Sequence, residues 1–209
     1  MSVTKYEIRL CQDCGLRYPL LDNHPFGDRC PNCLGNTKLL STHRIEREPA
    51  SPTLEPNTRL EGLLDNVRSA WNVGSIFRTA DGLGISKLYL CGITPTPENK
   101  SVTKTSLGAE KTVAWEDAHN ALEKVKELKD KGCELIALEQ DKRAIPLNEI
   151  QERFSDSQSI VLILGNEVTG VDPDLLDLCD RIIHIPMYGQ KSSFNVEVAF
   201  AITAYKLLY

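Results

Sequence analysis

Four cysteines in two pairs, Cys11-x2-Cys14 and Cys30-x2-Cys33, fall within 23 residues near the start of a 209-residue chain. Fifteen residues separate the pairs, a spacing that suits a tetrahedral four-thiolate site with sulfur about 2.3 Å from a zinc ion. Such a site needs two tight loops, and Gly15 follows the first pair while Pro31 and Gly35 shape the second. Four thiolates leave no open coordination position, so the expected role is structural. The surrounding stretch has few large apolar side chains, and a module of about fifty residues without a core depends on such a staple to fold. Two buried or redox-active Cys-x-x-Cys pairs are the competing reading. Cys91, Cys133 and Cys179 are scattered elsewhere.

A chain of this length buries about 70% of its surface on folding, enough for one substantial core and a small appendage. The segment from Glu46 to Thr58 carries three prolines, four charged side chains and almost no large apolar residue, which reads as a linker. The expected organisation is therefore a zinc-ribbon-like module at 1–45, a linker at 46–58 and a second domain at 59–209. The net charge is −5, which argues against coating nucleic acid by bulk electrostatics. Residues 1–59 hold 8 basic and 7 acidic side chains, against 16 and 22 in the remainder, so contact with RNA must come from local arrangement and be salt-sensitive. In the module Arg9, Arg17, Arg29, Lys38, His43, Arg44 and Arg47 either hold a substrate or are solvated charges. No apolar run approaches a membrane span and no secretory pattern opens the chain, so the expectation is a cytoplasmic protein with no membrane partner.

After the linker, strand and helix patterns alternate. Strands are expected at Leu60–Leu64, Lys87–Cys91, Glu134–Leu138, Ile160–Leu164 and Ile182–Ile185, and helices at Val73–Leu83, Asp117–Lys131, Asp172–Cys179 and Asn195–Leu208. Asp117 and Asp172 are the expected caps of their helices, with Gly132 as a stop and Pro173 at a first helical position. Two strands apolar on both faces point to an α/β domain with a mainly parallel sheet covered on both sides. The last helix is apolar nearly all round, so it must be buried on more than one face, and a subunit contact is expected.

Three polar motifs punctuate this domain. The first, Asn66 to Gly82, holds Asn72, read as a helix cap, and Arg78, which either reaches back toward the strand end or pairs with Asp81. Gly82-x-Gly84 closes a helix and lacks a third glycine, so it is no dinucleotide loop. The second, Leu164-Gly165-Asn166-Glu167-Val168-Thr169-Gly170, follows the most apolar strand, where open α/β sheets bind ligands. There Gly165 permits close backbone approach, and Glu167 is a polar group for a ligand or a catalytic side chain, or a solvated turn residue. The third, Ile185 to Val196, is a polar loop in which Ser193 or Asn195 caps the last helix.

Asn72 through Arg78 with Thr79-Ala80, then L-G-N-E-x-x-G, then I-P-M-x-G-x-x-x-S-x-N-V resemble the three signature motifs of the SpoU/TrmH-type RNA ribose methyltransferases of the SPOUT superfamily. The resemblance spans residues 60–209. It implies an α/β domain with a C-terminal trefoil knot, S-adenosylmethionine (AdoMet) as cofactor, and a homodimer with the active site at the subunit contact. It also implies that Arg78 is the catalytic arginine and Asn72 its polar partner, and that Glu167, Ser193 and Asn195 are active-site polar residues. By the same resemblance Gly165, Ile185 and Phe194 contact AdoMet, with Leu138 a further contact. Phe194 stands where the family usually has leucine, and the zinc module stands where many relatives carry other extensions.

The implied reaction transfers methyl from a sulfonium to a ribose 2′-hydroxyl of transfer or ribosomal RNA. That hydroxyl is a poor nucleophile while protonated, so the site needs a proton acceptor and fixed geometry. Arg78 acts as base only if its surroundings lower its proton affinity; otherwise it positions phosphate and stabilises the developing oxyanion. The alternatives are a non-catalytic RNA- or ribosome-binding adaptor on the same fold, a base-directed methyltransferase of the superfamily, and a redox protein built on the cysteine pairs.

Overall fold

The computed structural model describes residues 4–21, 24, 27–45, 59–151 and 159–209, and the chain divides into two units, residues 1–53 and 54–209. The expected linker at 46–58, and Arg47 with it, lies outside the described residues.

The first unit is a three-stranded antiparallel sheet of β1 (Thr4–Cys11), β2 (Arg17–Leu21) and β3 (Thr37–Ile45), with β1 in the middle. Its described apolar side chains supply little core: Leu20, Cys11 and Cys30 are its buried apolar residues.

The second unit is an α/β domain. In chain order it contains β4 (Arg59–Asp65), α1 (Ala70–Leu83), β5 (Lys87–Cys91), α2 (Lys100–Ser106), β6 (Ala114–Ala118), α3 (Ala121–Asp130), β7 (Glu134–Leu138), β8 (Ile145–Pro146), β9 (Ser159–Leu164), α4 (Pro173–Leu178), β10 (Arg181–His184) and α5 (Val196–Leu208). The sheet order is β6-β5-β4-β9-β7-β10-β8, and every pairing is parallel. Alternate strand residues point to opposite faces, which sorts the core into two layers. Leu60, Leu64, Ile160, Leu162 and Leu164 pack with Ile76 and Phe77 of α1 and Phe200 of α5. Leu63, Val161 and Ile163 pack with Val125 and Leu128 of α3 and Leu175 of α4. Strands covered on both sides read as continuous apolar runs, which is why β9 was legible without any alternation. Gly62 makes room for α5: a Cβ there would lie 2.7 Å from Leu88 and 3.3 Å from the Phe200 ring.

Two expectations need correction. Asp117 does not cap α3; it lies in β6, paired in register with Leu90 of β5, and the Asn120 side chain caps instead, accepting from the Leu122 and Glu123 amides. Asn72 does not cap α1, which begins three residues earlier than expected on Ser69. Within the chain α5 buries one face: Phe200, Thr203, Ala204 and Leu207 are covered, whereas Val198, Ile202 and Tyr205 are exposed.

Candidate active site and cysteine centre

The three polar motifs meet at the carboxyl ends of β4 and β9, beside the start of α5. Asn66 turns the chain out of β4 with φ at +55°, and its amide donates to the Cys91 carbonyl at 3.1 Å. Thr94 holds the next residue, its hydroxyl accepting from the Val67 amide at 3.0 Å. Ser69 then starts α1 by accepting from the Asn72 amide at 3.3 Å. With the cap supplied by Ser69, the Asn72 carboxamide is free to bridge other elements.

It does so twice. Asn72 Nδ2 donates to Glu167 Oε1 at 3.1 Å, and Asn72 Oδ1 accepts from Asn195 Nδ2 at 3.1 Å. Glu167 also accepts from the Arg68 amide at 2.9 Å and the Ser69 amide at 3.0 Å, so its carboxylate closes the free N-terminal end of α1, where negative charge is favoured. Asn195 uses its remaining oxygen to cap α5 on the Glu197 amide at 2.9 Å. Glu197 in turn accepts from the Thr79 hydroxyl at 3.2 Å. Glu167, Asn72 and Asn195 thus form one polar chain linking all three motifs.

The second loop is built to present Glu167. Asn166 and Gly170 exchange backbone hydrogen bonds at 3.0 and 2.9 Å, and Asn166 Oδ1 accepts from the Val168 and Thr169 amides. Asn166 Nδ2 reaches the Asn66 carbonyl at 2.8 Å, tying this loop to the first. At Gly165 a Cβ would lie 2.2 Å from the Gly170 and Val171 backbone; the close approach that this glycine permits is to its own loop.

Beside the polar chain lies a cavity of about 380 Å³, lined by residues that include Leu138, Gly165, Ile185, Phe194, Glu167, Ser193 and Asn195. This volume falls within the ~300–1,000 Å³ of small-molecule sites. All four residues expected to touch a cofactor therefore share one concavity. Sequence reasoning missed Glu139, Gln140 and His184 on its wall. Glu139 accepts from the Val171 amide at 2.9 Å, and Gln140 Nε2 donates to the Ser192 carbonyl across the mouth. Neither lies in a motif; following an expected strand end was their only signal.

Arg78 is placed differently. It is exposed in the third turn of α1, is not part of the cavity lining, and the pairing with Asp81 does not form, since Asp81 accepts from Thr112 instead. Six residues at 100° per residue put Arg78 about 120° around the helix from Asn72, whereas Trp71, seven residues before it, shares its face.

Glu167 feels two opposing effects. Burial raises its proton affinity, while the Arg68 and Ser69 amides and the Asn72 amide group lower it, and the net result lies below the ordinary carboxylate range. A depressed carboxylate stabilises the folded site above its unfolded pKa of about 4.3 and loses that contribution as pH falls through the lower, folded value. The junction should thus stay intact through neutral pH and fail only in strong acid. Glu167→Gln removes the charge and offers one acceptor oxygen to three donors. Charged hydrogen bonds contribute about 1.5–3 kcal/mol; discounted for exposure, their loss should lower the thermal unfolding midpoint of the second unit by about 2–4 °C, read by calorimetry. An unchanged midpoint would show that Glu167 does not hold the junction.

In the first unit, the sulfur atoms of Cys11, Cys14, Cys30 and Cys33 all lie within 4.8 Å of one another. Cys11 and Cys33 are 3.4 Å apart and Cys14 and Cys30 3.6 Å, close to the roughly 3.8 Å edge of a tetrahedron with 2.3 Å metal–sulfur bonds. Backbone amides of Cys14 and Asn32 donate to the Cys11 and Cys30 sulfurs, each at 3.4 Å, as thiolate charge requires. The Leu16 amide, helped by the neighbouring thiols, lowers the Cys14 thiol to about 6. Of the basic residues singled out, Arg9 turns inward: it is 8% exposed and pairs with Glu7 and Asp28, so it is structural.

A parallel sheet whose strand ends carry a small-molecule cavity beside a polar junction defines an α/β ligand-binding domain. The sequence model described as the SpoU rRNA Methylase family matches residues 61–205. The tRNA (guanosine(18)-2′-O)-methyltransferase of Aquifex aeolicus is 33% identical over 144 residues, 68% of this chain and 65% of that protein. The crystal structure of the A. aeolicus TrmH/SpoU tRNA-modifying enzyme superposes with a TM-score of 0.64 at 31% identity, covering 72% of this chain and 74% of that one. The AdoMet-bound rRNA methyltransferase of Sinorhizobium meliloti shares the fold, with a TM-score of 0.67 at 24% identity over 79% of this chain and 62% of that one. The chain belongs to the SpoU rRNA methylase family. It spans just under two thirds of the Aquifex methyltransferase's own length.

Proposed function

We propose that this protein transfers a methyl group from AdoMet to a ribose 2′-hydroxyl of structured RNA. The observation that carries the reading is the union of Leu138, Gly165, Ile185 and Phe194 in one cavity with Glu167 and Asn195 on its wall. Bound AdoMet supplies an electrophilic methyl group. The apolar wall of Leu138, Ile185 and Phe194 would hold the cofactor and exclude water. The chain Glu167–Asn72–Asn195 locks α1 and α5 against each other, and Ser193 faces the ribose or its phosphate. Arg78 would position phosphate and stabilise the alkoxide that forms as the 2′-hydroxyl gives its proton to a general base or water; that oxygen would take the methyl group as its bond to sulfur breaks, releasing S-adenosylhomocysteine. The A. aeolicus relative carries 2′-O-methyltransferase in its name, and the S. meliloti protein is described as AdoMet-bound; both support the assignment.

The proposal includes a homodimer. Arg78 is exposed away from the cavity, and Trp71, Val198, Ile202 and Tyr205 expose apolar surface on the same two helices, α1 and α5. A second copy would cover these side chains and bring Arg78 to a cavity. It also includes a C-terminal trefoil knot, a structural zinc ion held by Cys11, Cys14, Cys30 and Cys33, and a cytoplasmic setting, where thiols stay reduced.

The test is incubation of the protein with methyl-labelled AdoMet and total RNA from a strain lacking the gene. Label should appear on a ribose 2′-oxygen of transfer or ribosomal RNA. Label on a base would make it a base-directed enzyme, and no label with RNA still bound would make it an adaptor.

A further inference from the structure

The three-stranded sheet of the first unit has two unlike faces. Directly paired residues on neighbouring strands share a face, so the register sorts the side chains. One face carries Arg9, Cys11 and Leu20, all buried, together with Glu7. The opposite face carries Tyr6, Leu10, Arg17, Leu21, Lys38 and His43. Arg17, Leu21, Lys38 and His43 are exposed, Leu21 at 49%.

Two features of that open face point to one kind of occupant. The Tyr6 and His43 rings stack, with centroids 5.1 Å apart and planes 22° from parallel, and Ser41 Oγ lies 2.8 Å from His43 Nε2, steadying the ring. At the far end Arg17 and Lys38 flank Leu10 from β2 and β3, four residues or about 13 Å along β1 from Tyr6. Among the described strand residues no acidic side chain lies on this face, although the whole chain carries −5; Glu7 is turned to the other side, where it pairs with Arg9. A pair of stacked rings and two cations, free of carboxylates, suits an unpaired polyanion: every base offers a π-face to the rings, and phosphates meet the cations. In a duplex those base faces are already stacked on one another.

We propose that this face binds a single-stranded segment of RNA, with a base against the Tyr6–His43 pair and phosphates at Arg17 and Lys38. The proposal rests on the RNA-methylating reading of the second unit and extends it to substrate capture by the first.

The test measures binding of a short fluorescent oligouridylate to the full chain over a salt series. Tyr6→Ala should weaken binding about tenfold, while Tyr6→Phe, which keeps the ring, should bind as the parent does. Replacing Arg17 and Lys38 together with serine should lower the slope of log affinity against log salt by about 1.4, or ~0.7 per lost phosphate contact. Affinity for AdoMet and metal content should not change. A crosslink from a thiouridine-bearing oligonucleotide to the parent protein, mapped by mass spectrometry, reads the same surface without any substitution and should fall on β1 or β3. Unchanged affinity and slope in the variants, an equal loss in Tyr6→Phe, or crosslinks confined to residues 59–209 would overturn the proposal. Methyl transfer that persists alongside such results leaves the enzyme reading intact; a crosslink on β1 without any methyl transfer counts against the enzyme reading alone.

Discussion

Replacing Arg78 with alanine is expected to lower methyl transfer by at least about a hundredfold, the scale of a lost oxyanion or phosphate contact, with AdoMet affinity left close to that of the parent. The split follows from position. Arg78 is outside the cavity lining, its side chain has no hydrogen bond or ion pair among the described residues, and it contributes nothing to packing of the buried face of α1. Its removal should therefore cost the fold nothing and the donor site nothing. Arg78→Lys keeps a charge but loses the planar fork that grips two phosphate oxygens, and should recover only a small part of the rate. Calorimetry with AdoMet, beside counts of labelled methyl in RNA, separates the two quantities. Near-normal turnover in Arg78→Ala would show that the guanidinium has no part in the reaction.

The second large effect is expected in the cysteine unit. Among the described residues of this unit the buried apolar ones are Leu20, Cys11 and Cys30, and these form no core able to offset the entropy of ordering about fifty residues. A structural zinc contributes about 10–16 kcal/mol of apparent binding energy in small metal-folded domains, more than such a unit could hold by itself. Cys30→Ser, or treatment with a strong chelator, should therefore unfold the first unit completely while the second keeps its own thermal transition. Limited proteolysis should then cut within residues 1–45 and spare 59–209. Atomic emission on protein purified without added zinc should return one ion per chain. A first unit that stays protected after the metal has been stripped would refute a structural role.

Much of the large domain was readable from its residues, and the failures share a cause. Strands β5 and β7 were legible to the residue because apolar runs between polar flanks leave one register. The start of α1 was misread because Ser69 and Asn72 are both good caps three residues apart, and Val73, Ile76, Phe77 and Ala80 give the same helical stripe from either. Asp117 and Asn120 posed the same choice, which was settled by the pairing of β6 with β5, a long-range contact that local propensity does not contain. The polar motifs were visible, but their meeting was not. The chain Glu167–Asn72–Asn195 joins side chains 95 and 123 residues apart, and no periodicity announces it. Glu139 and Gln140 were invisible for a different reason: they act through backbone groups of other loops.

That long reach has a consequence for biogenesis. Contacts of such sequence separation carry a heavy loop-closure cost and form late. A growing polypeptide that has emerged only as far as α4 has Asn72 and Glu167 but neither Asn195 nor the final helix, so it has no finished pocket. Catalytic competence should switch on only as the C-terminus docks, which makes methyl transfer itself a sensitive reporter of complete maturation. A clipped or stalled product, even one with most of its sheet assembled, should be silent.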